Sequence, residues 1–106
     1  MSESDVQKEV CKYLDSKNLL YFAIPNNPKF KPAGMKKGVP DLFVAQLKGN
    51  YGGLFIEVKQ GKEVKGVKVS PEQEQWRADL LRCNYMSVIA YGAEQAFKFI
   101  DEYLKG

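Results

Sequence analysis

Three side chains able to do chemistry stand where a buried strand normally carries none. Asp41 opens the apolar run Leu42-Phe43-Val44, and Glu57 and Lys59 interrupt a second run, Leu54-Phe55-Ile56-Glu57-Val58-Lys59. Side chains alternate along a strand, so Glu57 and Lys59 share one face with Phe55. An acid and an amine on a mostly buried face are costly unless they pair or hold a metal. Mg2+ takes oxygen ligands in near-octahedral geometry and keeps several waters, so one or two carboxylates plus a substrate phosphate satisfy it. If the two runs are adjacent antiparallel strands, Asp41 and Glu57 converge on one such ion. Lys59 then lies near the attacking water, where it can orient that water or offset charge developing on a phosphate. Together these parts describe metal-dependent phosphodiester hydrolysis. Singly they say little, because Glu-x-Lys is common on solvated strands and Pro-Asp is common in turns. The specificity lies in their combination across a glycine-rich turn.

Composition narrows the chemistry further. The chain has no histidine, which removes His-based zinc sites and Ser-His or Cys-His nucleophiles. Its two cysteines, Cys11 and Cys83, lack Cys-x-x-Cys spacing and read as small core residues. With 106 residues, the span 1–106 fits one compact domain, and 44% hydrophobic content supports an ordinary core. No apolar run approaches the ~20 residues of a membrane span. The polar start Met-Ser-Glu-Ser-Asp does not read as a secretion signal, so a cytosolic protein is expected.

The net charge is only +3, but its distribution is uneven. Lys29, Lys31, Lys36 and Lys37 crowd the segment before Asp41, and Lys62, Lys65 and Lys68 follow Lys59. A basic rim around Asp41 and Glu57 points to an anionic partner. The plainer reading is that lysine-rich loops are simply solvated.

The elements that must position these groups follow from periodicity and punctuation. Residues 3–17 predict a helix with Val6, Val10, Tyr13 and Leu14 on one stripe. Glu3 lies one turn before that stripe, so it is the N-terminal acid best placed to turn inward; its ordinary role is a first-turn acid favourable to the helix dipole. Leu19–Ile24 reads as a short strand, stopped by Pro25-Asn26-Asn27-Pro28. The following loop to Lys37 has no periodicity, and long loops in small domains are usually functional or mobile. Strands are expected over Asp41–Leu47 and Leu54–Gln60, joined by the turn Lys48–Gly53. Ser70-Pro71-Glu72-Gln73 is a strong helix start, with Ser70 as cap and Gln73 three residues on, and Trp76 and Leu80 continue the inward face. A strand over Tyr85–Tyr91 and a helix over Ala93–Leu104, burying Ala96, Phe97, Ile100 and Leu104, complete the chain. The order αβββαβα implies an α/β fold with a mixed central sheet flanked by helices.

Gly38-x-Pro40-Asp41-Leu42, Phe55-Ile56-Glu57-Val58-Lys59 and Ser70-Pro71-x-Gln73-x-x-Trp76, preceded by a helix bearing Glu3, resemble the virus-type replication-repair nuclease (VRR-NUC) domain of the PD-(D/E)xK nuclease superfamily. The likeness covers nearly the whole chain, with the motifs in the family's order. It implies a restriction-endonuclease-like fold and Mg2+- or Mn2+-dependent cleavage of DNA. By this similarity Asp41 and Glu57 are metal ligands with the backbone carbonyl of Val58, and Lys59 is the catalytic lysine. Glu3 reaches the metal directly or through water, and Gln73 supports the site while also serving as a capping-box residue. Stand-alone members in phages and bacteria resemble Holliday-junction resolvases, which act as homodimers on branched DNA.

A homodimer also suits paired cuts across a two-fold junction. Phe99 and Tyr103 on the last helix offer such an interface, or stand as isolated surface aromatics. On this reading DNA runs along Lys29, Lys31, Lys36, Lys37, Lys62 and Lys65, and is recognised by shape rather than base sequence. The alternatives are a flap or single-strand nuclease of the same fold, an RNA-cleaving or sequence-specific relative, and a non-catalytic DNA-binding module. The module reading predicts loss of one of Asp41, Glu57 or Lys59, and all three are present.

Overall fold

In the computed structural model, which describes all residues except 27, 28 and 30, the first helix begins at a reciprocal cap. Ser2 Oγ accepts from the Asp5 N–H and the Asp5 carboxylate accepts from the Ser2 N–H, so two otherwise unpaired donors are satisfied. Helix α1 runs Glu3–Ser16 and buries Val6, Val10 and Leu14. Strand β1 is Tyr21–Ala23, shorter than the expected Leu19–Ile24, and the Asn27-Pro28 part of its expected stop lies outside the described residues. Strand β2 is Leu42–Val44 and β3 is Leu54–Lys59. Helix α2 is Pro71–Arg82, strand β4 is Met86–Tyr91 and helix α3 is Ala93–Lys105.

The four strands lie in the order β1-β2-β3-β4. Antiparallel pairing joins β1 to β2 and β2 to β3, whereas β3 and β4 are parallel and need the crossover that α2 provides. The register places Leu42 opposite Ile56 and Val44 opposite Leu54. Period two then sends Leu42, Val44, Leu54, Ile56 and Val58 to one face, where they form the buried core with the apolar stripes of α1 and α3. Each fully buried aliphatic side chain there contributes ~1.5–3 kcal/mol. The opposite face carries Phe22, Phe43 and Phe55 in one cross-strand row, with Glu57 and Lys59 further along β3.

Further expectations are corrected. Strand β2 stops at Val44 rather than Leu47: Ala45 N–H still donates to Leu20 O, after which Gln46 N–H turns back to Val44 O and Leu47 is exposed. Cys83 is exposed as the C-cap of α2, and Cys11 is only half-buried. On α3 the buried positions are Ala96, Ile100 and Tyr103, with Phe97 and Leu104 only half-buried. Tyr103 donates its hydroxyl to the Gln46 carbonyl, and Phe99 packs against the core, so neither is a free aromatic for an interface. Trp76 and Leu80 face inward but stay half-buried, because α2 packs on the sheet chiefly along β4.

Candidate active site

Asp41 sits just before β2, and its backbone still belongs to the ladder. Its N–H donates to Ile56 O (3.1 Å) and its carbonyl accepts from Ile24 N–H (2.8 Å). The next ladder donor along β3, Val58 N–H, has no β2 residue to meet, and the Asp41 carboxylate takes it at 2.7 Å through Oδ2. This bond fixes the acid against the strand that carries Glu57. The N–H and C=O of a strand residue leave by the same edge in antiparallel pairing, so the Val58 carbonyl also lies on the edge where Asp41 ends the ladder.

Glu57 and Lys59 are both buried, at 4% and 7% exposure, and their Oε2 and Nζ atoms are 4.0 Å apart. Gln73 Nε2 donates to the same Glu57 Oε2 at 3.1 Å. The amide of Gln73 is oriented by the helix cap: its Oε1 accepts from the Ser70 N–H at 2.9 Å, which leaves the NH2 end for Glu57. Capping and site support are therefore two ends of one side chain. Glu3, from the first turn of α1, completes the group, since Glu3, Asp41 and Glu57 each bring a carboxylate oxygen within 4.8 Å of the others.

Three acids this close cannot all remain ionised without a counter-charge. Burial pushes the Glu57 carboxyl up to about 9, the neighbouring Asp41 charge pushes the same way, and Lys59 pulls against them. Partial burial also raises Glu3. Glu57 Oε1 is buried with no hydrogen-bond partner among the described residues. A proton on Glu57 lets it bond to Asp41; a cation serves both carboxylates without one. An all-oxygen donor set with an orphaned buried oxygen fits a hard divalent ion.

The lysine-rich segments border this group. Lys31, Lys36 and Lys37 line one cavity with Asn26 and Met35, and Lys37 lies 3.9 Å from Glu72 in the first turn of α2. Lys62 sits with its Nζ 5.0 Å from the centre of the Tyr91 ring, at the end of β4 beside Lys59. Lys29, Lys65 and Lys68 are exposed. Two positioning residues were not assigned roles from the sequence. Trp76 Nε1 donates to the Lys37 carbonyl, tying the loop to α2, and Gly38, with φ +86°, lets the loop pass against Glu72 and Gln73. The glycine two residues before Pro40-Asp41 was the available signal.

The fold and the acid cluster together define a nuclease-type α/β domain. One solved structure similar to it, a VRR_NUC domain protein, has a TM-score of 0.82 and 29% identity, covering 99% of this chain and 89% of its own. Another, a VRR_NUC domain, has a TM-score of 0.68 over 97% of this chain and 99% of its own, and at 19% identity speaks for the fold alone. The chain belongs to the VRR-NUC domain family, whose pattern matches residues 22–94. No curated protein matches it. Among the described residues, no helix is long and apolar enough to cross a membrane.

Proposed function

We propose that the protein is a Mg2+-dependent endodeoxyribonuclease, with Mn2+ able to substitute, that hydrolyses phosphodiester bonds in branched DNA such as four-way junctions. One observation carries this reading: carboxylates from three separate elements meet within 4.8 Å beside a buried lysine. Glu3, Asp41 and Glu57, with the Val58 carbonyl, would hold the ion. When bound, a divalent cation supplies Lewis-acid charge at the scissile phosphate. Lys59 holds its ammonium beside Glu57, where it orients the attacking water and offsets negative charge gathering on the phosphate. Gln73 keeps Glu57 Oε2 in place, and Lys29, Lys31, Lys36, Lys37, Lys62 and Lys65 draw the DNA backbone to the site. Residues 1–106 act as one unit, in the cytosol of a bacterium or phage-infected host. Two copies pair to cut both strands, and the exposed Leu20, Phe22 and Leu47 around the free β1 edge support such pairing.

The test is a panel of labelled four-way junction, flap, duplex and single strand, incubated with Mg2+ or with EDTA. Asp41→Asn keeps an acceptor for Val58 N–H but removes the charge. It and Lys59→Met are expected to lower cutting by about 100-fold or more, as loss of a positioned acid–base or charge-stabilising group does. Binding to the same DNA in EDTA should persist. Cutting by Asp41→Asn at the parent's rate would overturn the assignment.

A further inference from the structure

The sheet face that carries Glu57 and Lys59 continues toward β1, and a cavity of about 630 Å3 lies there. Ile24, Met35, Val39 and Trp76 line it, together with Pro25 and Pro32. Its volume falls within the ~300–1,000 Å3 of sites that hold small molecules. It adjoins the acids by direct connection: Ile24 N–H donates to Asp41 O, Val39 is two residues from Asp41, and Trp76 lies one turn beyond Gln73. The indole N–H is already committed to the Lys37 carbonyl at 3.0 Å, so contact with a ligand falls to the ring itself. Lys36 also lines the cavity and shares the adjoining one with Lys31 and Lys37.

An apolar cavity with an aromatic wall and a cationic rim matches a base joined to its phosphate. An apolar peptide segment would leave the lysines unused. We propose that this cavity receives an unpaired nucleobase of the strand being cut, stacked on Trp76, with that nucleotide's phosphate on Lys36. The proposal rests on the nuclease reading above and names what its substrate must contain. A base inside a duplex must first be unpaired and unstacked, whereas a base at a bulge, flap or open branch point enters without that cost. The mostly apolar lining leaves base edges unread, so the preference is for an unpaired nucleotide of any sequence.

Trp76 is the only tryptophan in the chain, so its fluorescence reports on this cavity alone. The native protein, in EDTA to prevent cutting, is titrated with a fully paired duplex, a duplex with a one-nucleotide bulge, and the same bulge made abasic. The bulged duplex is expected to quench Trp76 and to bind about 5- to 150-fold tighter than the abasic one, the range covered by stacking one base on an aromatic ring. Ala33→Leu, which places a larger side chain in the cavity from an exposed position, should bring that ratio close to one. Equal quenching by bulged and abasic DNA, or an unchanged ratio in Ala33→Leu, overturns the proposal while leaving the nuclease reading intact. Absence of Mg2+-dependent cutting and of binding across the substrate panel overturns both. A Trp76 signal that changes on dilution without DNA places a second copy in the cavity and overturns the nucleobase.

Discussion

A buried carboxyl facing another carboxylate can be stabilised by a proton or by a cation, and Glu57 has this choice. Its folded-state value of about 9 lies far above the ordinary 4.5. Between those two values the native protein binds more protons than the unfolded chain, so stability falls as pH rises. The contribution is complete below about 4.5 and is lost as pH passes through about 9, with a slope of at most ~1.4 kcal/mol per pH unit. Thermal melts in EDTA should therefore show a midpoint that declines from pH 5 to pH 9. Glu57→Gln, which cannot ionise, should flatten that decline and exceed the parent at the alkaline end. Mg2+ or Mn2+ bound there as proposed would displace the proton, so its stabilising effect on the parent should grow with pH. A metal-free midpoint independent of pH would show that Glu57 is not protonated. At this scale much of the site was legible: period two paired Glu57 with Lys59, and the α1 stripe picked Glu3 over Glu9. The bond from Val58 N–H to Asp41 was not, because it depends on where β2 stops pairing, which residue type does not specify.

Helix α2 converts a local start signal into a support for Glu57. Ser70 Oγ accepts from Gln73 N–H, Gln73 Oε1 accepts in return from Ser70 N–H, and Gln73 Nε2 donates to Glu57. Gly38 sets how close the lysine loop comes to this turn. A Cβ there would stand 2.6 Å from Glu72 Cβ and 2.9 Å from Gln73 N, on a backbone at φ +86° that side chains rarely adopt. Gly38→Ala must move the first turn of α2 or the loop, and overpacking of this kind costs ~1–3 kcal/mol. Denaturant unfolding should show that loss together with reduced cutting, because Gln73 moves with the turn. Gly66→Ala is the contrast: φ is +83° but nothing lies within 4 Å, so only backbone strain is expected and cutting should survive. The capping box was readable from Ser70-Pro71-Glu72-Gln73 because it is a local pattern. The short β1 and β2 were not, since Leu19, Gln46 and Leu47 fall outside the strands only because the ladder ends at the Ala45 N–H to Leu20 O bond. The exchange of Leu104 for Tyr103 in the core has a similar cause: helical spacing allows both, and the Gln46 carbonyl that receives the tyrosine hydroxyl lies 57 residues away.

Both lysine-rich loops leave the sheet at the acid cluster and return to it. One leaves β1 after Ile24, bonded to Asp41, and re-enters at Asp41; the other leaves β3 at Lys59 and re-enters α2 three residues before Gln73, at Ser70. Charge placed on such loops is concentrated around the site although the chain carries only +3. The two lysine clusters were visible in the sequence, but that both loops end at one site requires the sheet order. Phosphate contacts release counterions, so the logarithm of DNA affinity should fall linearly with the logarithm of salt, by ~0.7–0.9 per neutralised phosphate. Replacing Lys36 or Lys62 by Gln should flatten that slope by about one such step each. Lys37, already near Glu72 and largely exposed, should change it less. Lys105 supplies the control: α3 starts at the Gly92 cap, whose N–H donates to Lys59 O, and its 13 residues carry Lys105 roughly 20 Å away. Lys105→Gln should leave the slope unchanged. Equal effects of Lys36→Gln and Lys105→Gln in salt titrations would mean that DNA senses only net charge, and that the loops around Asp41 and Lys59 do not form its path.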